Sequence, residues 1–79
     1  MTKNKLQKLL KTVLPKDWKL GEVESKWFIV KCPVQYKLGV TYGTFRKYIR
    51  KIVKATGAED SGSGYEMGSP WYEVTFRFN

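Results

Sequence analysis

The sequence contains no histidine, and so lacks the side chain that most often serves as a general base near neutral pH. It has a single cysteine, Cys32, which excludes a disulfide within the chain and any zinc site built from cysteine or histidine. No apolar run approaches the roughly 18–20 residues of a membrane span, and the amino terminus leads into an amphipathic pattern, not a signal-peptide block. Acids are few and scattered. Asp17, Glu22 and Glu24 are the nearest approach to a metal-dependent nuclease centre, and they are a poor one. Gly62-Ser63-Gly64 lacks the Lys-Ser/Thr pair and following helix of a phosphate-cradling loop, so these glycines read as a hinge or bulge. Cys32, inside an apolar run, reads as a small buried hydrophobe and not as a nucleophile. The expectation is a non-enzyme without metal or cofactor, in a reducing, cytoplasmic setting.

Aromatic residues and positive charge are what the chain has in abundance. Three Trp, five Tyr and four Phe in 79 residues speak against disorder and for one small folded domain over 1–79. Lys and Arg number 15 against seven acids, a net charge of +8. Residues 1–54 carry 14 of those cations and three acids, a net +11, whereas 55–79 carry one cation and four acids. The positive field is therefore concentrated in the first two-thirds of the chain.

Within that region, 44–57 has helical spacing on two opposed faces. Phe45, Tyr48, Ile49, Ile52 and Val53 form the apolar face, and Arg46, Lys47, Arg50, Lys51 and Lys54 form the other. Thr44 is expected to cap the start and Gly57 to end the helix in a left-handed conformation. An earlier helix is expected over 2–14, capped by Thr2 and stopped by Pro15. Leu6, Leu9, Leu10, Val13 and Leu14 make its stripe, and Lys5, Lys8 and Lys11 lie away from it.

Strands are expected at 18–23, 26–32, 62–67 and 71–78. The second has apolar residues on both faces: Phe28, Val30 and Cys32 against Trp27, Ile29 and Lys31. The last alternates cleanly, Tyr72, Val74, Phe76 and Phe78 against Trp71, Glu73, Thr75 and Arg77. Glu59-Asp60 reads as a turn after the helix. Residues 33–43 fit neither period, and Tyr36, Lys37 and Tyr42 are suited either to contacting a partner or to covering the core. The order helix, two strands, helix, two strands predicts an α+β two-layer sandwich. Both helices lie on one face of a four-stranded antiparallel sheet of order 3-4-2-1, a permuted split βαβ, ferredoxin-like pattern.

The principal expectation is a nucleic-acid-binding protein, for DNA or RNA. Its phosphates would meet the helix face of Arg46, Lys47, Arg50, Lys51 and Lys54, joined by Lys5, Lys8 and Lys11. A second surface is the open sheet face, where Trp27, Lys31, Trp71 and Arg77 could stack single-stranded bases. The alternative is a non-catalytic inhibitor or adaptor of the phage or mobile-element accessory type, docking on a larger host protein through its aromatic strands. No membrane partner is expected, and the chain could be a monomer or a homodimer.

Overall fold

The computed structural model describes residues 2–34, 42–65 and 68–78. Thr2 opens the first helix, α1 (Lys3–Leu10), with extended backbone and an Oγ1 that accepts from the Lys5 amide at 3.3 Å. The helix is shorter than its apolar stripe suggests. Lys11 is its C-cap, and the chain tightens into turns as Val13 N–H and Leu14 N–H both donate to the Leu10 carbonyl. In a continued helix the Pro15 ring would clash with the Lys11 carbonyl, four residues earlier, so the helix cannot run through to it. Lys11 therefore lies at the helix end and not on its face.

β1 (Lys19–Val23) and β2 (Trp27–Pro33) pair antiparallel, and their turn is closed by Glu24 N–H donating to the Trp27 carbonyl. The ladder runs through Cys32 to Pro33, which stands opposite Trp71. α2 (Tyr42–Thr56) begins before Thr44, so Thr44 sits in its first turn and does not cap it. The residue preceding Tyr42 lies outside the described residues, as do Tyr36 and Lys37. Gly57 ends α2 with φ 75°, in the left-handed region.

β3 (Glu59–Tyr65) starts earlier than its glycines suggest, taking in Glu59 and Asp60, which read as a turn by sequence alone. Tertiary pairing overrides weak local propensity here. β3 hydrogen-bonds along β4 (Trp71–Arg77), setting Asp60 opposite Phe76 and Ser63 opposite Val74. The four strands form one antiparallel sheet in the order β1-β2-β4-β3.

Period-two alternation decides which face of the sheet is covered. Phe28, Val30 and Cys32 of β2 and Tyr72, Val74 and Phe76 of β4 are buried. They form one cluster with Leu6 and Leu10 of α1 and Phe45, Ile49 and Ile52 of α2. Both helices thus lie on the same side. Phe28 and Phe76 stack at 5.1 Å between centroids, and each such fully buried side chain contributes about 1.5–3 kcal/mol. Trp18 closes the core at one end, its ring 5.3 Å from Tyr48 and 6.1 Å from Phe45. No described element covers the opposite face of the sheet.

Candidate nucleic-acid interface

The two faces of α2 separate as the sequence spacing requires. With Phe45, Ile49 and Ile52 turned into the core, Lys47, Arg50, Lys51 and Lys54 are left exposed on the outside. Their spacing of three and four residues confines them to a single stripe about 10 Å long. Together with Gly43 they line a shallow concavity of about 430 Å³. Gly43 contributes no side chain, and a Cβ there would meet nothing within 4 Å, so the stripe is open at its amino-terminal end. The Lys51 ammonium lies 5.3 Å from the Tyr48 ring centroid, an arrangement that orients it without neutralising it. The Arg50 Nε–H donates to the Arg46 carbonyl at 3.4 Å.

Arg46 belongs to a different environment. Its guanidinium donates to Asp60 of β3 at 3.4 Å, across the seam between helix and sheet. Of the five cations expected on this face, four form the stripe and the fifth is already paired with an acid. Lys5 and Lys8 are exposed on α1 and are not among the residues lining the α2 concavity. Lys11 borders a separate groove with Gln7, Lys16, Trp18 and Leu20.

The stripe carries an internal cost. Lys47–Arg50, Lys51–Lys54, Lys47–Lys51 and Arg50–Lys54 are like-charge neighbours on one helix surface. At about 0.2–0.5 kcal/mol each they destabilise the helix by roughly 1–2 kcal/mol. No acid lies in the first turn of α2 to offset them.

The open sheet face brings together Trp27, Lys31, Trp71 and Arg77, as the alternation of β2 and β4 implies. Trp27, Trp71 and Arg77 border a trough of about 880 Å³, walled by the two tryptophans and floored by Ile29, Thr75 and the glycines of β3. Its charge is mixed, however. Lys31 stands directly opposite Glu73, and Arg77 lies between Trp27 on β2 and Glu59 on β3. Lys19 of β1 also belongs to this face, beside Lys31, with its ammonium 5.1 Å from the centroid of the Trp71 ring. Sequence spacing alone gave no place for Lys19, because β1 alternates loosely. The register with β2 supplies it.

α2 lies between its own cation stripe and the sheet, and the trough is on the sheet's far side. The two surfaces therefore point in opposite directions. Among the described residues, no three or more Asp, Glu, Cys or His side chains are grouped to hold a metal ion. No described helix is long and apolar enough to cross a membrane. Comparison with family models, curated proteins and solved structures returns no match for the chain.

Proposed function

We propose that the protein binds nucleic acid through the outer face of α2, with Lys47, Arg50, Lys51 and Lys54 contacting backbone phosphates. The observation that carries this reading is the stripe itself: four cations with no acid paired to them among the described residues, held together on one helix face despite their mutual repulsion. A core-forming helix needs only its apolar side, so the cationic side has no packing role that accounts for its cost. A polyanion relieves that repulsion by occupying the stripe, and it releases the counterions condensed along its phosphates. Contacts of this kind set position and affinity with little preference for base sequence.

The interface stops at α2. Glu73 and Glu59 on the sheet face would meet a phosphate backbone with like charge, and the Lys19 ammonium lies at the Trp71 ring that would have to stack a base. A mixed, partly apolar trough favours a protein partner there, so the adaptor reading attaches to that face. The strand order fits the permuted ferredoxin-like connectivity, and the lone buried Cys32 suits a cytoplasmic setting.

The test is fluorescence anisotropy with labelled single- and double-stranded DNA and RNA across a salt series. Four phosphate contacts give a log–log slope of about −3.6 on B-form DNA and about −2.8 on single strands. Binding that is equally weak for every probe and vanishes well below physiological salt would sink the proposal.

A further inference from the structure

Cross-strand pairs on the open sheet face join unlike side chains. Lys31 stands opposite Glu73, Ile29 opposite Thr75, Trp27 opposite Arg77 and Pro33 opposite Trp71. Consider a two-fold axis lying in the plane of this face, parallel to the strands and midway between β2 and β4. It sets each β2 residue of one copy over its β4 counterpart in the other. Lys31 then meets Glu73 of the second copy, and the symmetry repeats that pairing. Trp27 meets Arg77, offering a cation to a ring face.

Bulk is matched as well as charge. Lys19 shares a row with Lys31, Glu73 and Gly64, so the same rotation carries Lys19 of one copy over Gly64 of the other. A Cβ built on Gly64 meets nothing within 4 Å, so the trough is open at that point. We infer that this face is a homodimer surface, closed by a second copy of the chain packed sheet to sheet.

Packed sheets lie about 10 Å apart with strands rotated by about 30°. Rotation about the level of Val30 and Val74 barely displaces the central rows of Ile29 with Thr75 and Lys31 with Glu73. The outer rows shift more, and they carry Trp27, Arg77 and Trp71, whose side chains are long enough to follow. Three strands of seven residues and one of five present a face of at most about 19 × 24 Å in projection. That is a small interface, of the class whose dissociation constants fall in the micromolar range.

Sedimentation of the whole chain without nucleic acid tests this independently of the α2 reading. The wild type is expected to pass from monomer to dimer as its concentration rises through the micromolar range. Lys31→Glu and Glu73→Lys should each weaken the homodimer more than tenfold, because each sets like charges across the interface twice. Mixing the two variants should restore a dimer, since the acidic face of one then meets the basic face of the other at both positions. Pairing within a chain cannot produce that rescue, and native circular dichroism confirms that each variant is folded before mixing. A wild type that stays monomeric up to about 100 µM overturns the inference, as does a mixture that forms no heterodimer.

Discussion

Arg50→Gln separates the function of the α2 stripe from its cost to stability, because the two effects have opposite signs. Within the stripe Arg50 has two like-charge neighbours, Lys47 three residues before it and Lys54 four after; Arg46, four before it, is also cationic but is paired with Asp60. Removing its charge deletes both repulsions and should stabilise the protein by about 0.4–1 kcal/mol, a rise of a few degrees in Tm for a domain of this size. The same change removes one phosphate contact. The salt slope on B-form DNA should fall in magnitude from about 3.6 to about 2.7. Between 50 and 200 mM salt the wild type would lose roughly 150-fold in affinity and the variant roughly 40-fold. Arg46→Gln is the internal control. Its guanidinium is held by Asp60, so its removal should leave the slope unchanged. Asp60→Asn should do the reverse, releasing Arg46 as a fifth cation and steepening the slope by up to about 0.9. Anisotropy titrations at five or so salt concentrations, with thermal melts of the same samples, give every quantity needed. The reasoning is refuted if Arg46→Gln flattens the slope as much as Arg50→Gln does. It is equally refuted if Arg50→Gln is less stable than the wild type.

Other substitutions test the fold that holds the stripe in place. Phe28→Ala empties a fully buried site stacked on Phe76 and should cost about 3–5 kcal/mol, read from urea unfolding; a loss below about 1 kcal/mol would show that the ring is not in the core. Gly57→Ala places a Cβ in open space but in the left-handed region, so backbone strain alone should cost about 1–2 kcal/mol, and an unchanged Tm would contradict that conformation. Tyr72→Phe removes the hydroxyl that donates to Ser63 Oγ at 2.7 Å and should cost about 1 kcal/mol, with hydrogen exchange along β3 accelerated more than along β2. Cys32 is fully buried, so its thiol should react with a disulfide reagent at the rate of unfolding, and prompt labelling of native protein would place it elsewhere.

Elements whose own side chains do the packing were legible in the sequence. α2 and β4 each divide their residues cleanly between a wet face and a dry one, so Phe45, Ile49 and Ile52, and Val74 and Phe76, could be assigned from spacing alone. β3 could not be read that way. All seven of its residues are exposed, and strand geometry there comes from hydrogen bonds to β4, leaving no hydrophobic period in Glu59–Tyr65. The same gap concealed the state of Arg46. Asp60 is 14 residues away in sequence, and only the register of β3 on β4 brings it beside α2. The carboxyl end of α1 went astray for the opposite reason. Val13 and Leu14 do pack against the core, but from turns, so apolar periodicity ran on past the helix. Glu73 was legible as a member of the open face, yet its consequence depended on lying opposite Lys31, which is a matter of register.

Among the described residues one core and two layers leave two broad outer surfaces, and they differ in charge. An exposed helix face can be wholly cationic because its side chains splay outward into water at wide angles. A sheet face holds its side chains in parallel rows about 4.8 Å apart, where like charges directly opposite one another are destabilising. Lys31 on β2, already beside Lys19 on β1, is offset by Glu73 on β4, and the resulting mixed face is unsuited to a phosphate backbone but suited to its own rotated copy. A dimer closed through that face turns both α2 stripes outward, with helix axes on the order of 30 Å apart. Each copy would then hold a separate nucleic-acid segment, and the dimer would bridge two. Light scattering on long duplexes distinguishes this from simple coating. The wild type should draw duplexes together at low occupancy. Glu73→Lys, with its cation stripe intact, should bind each duplex but leave them apart. If that variant bridges as well as the wild type, the two surfaces are not coupled in this way.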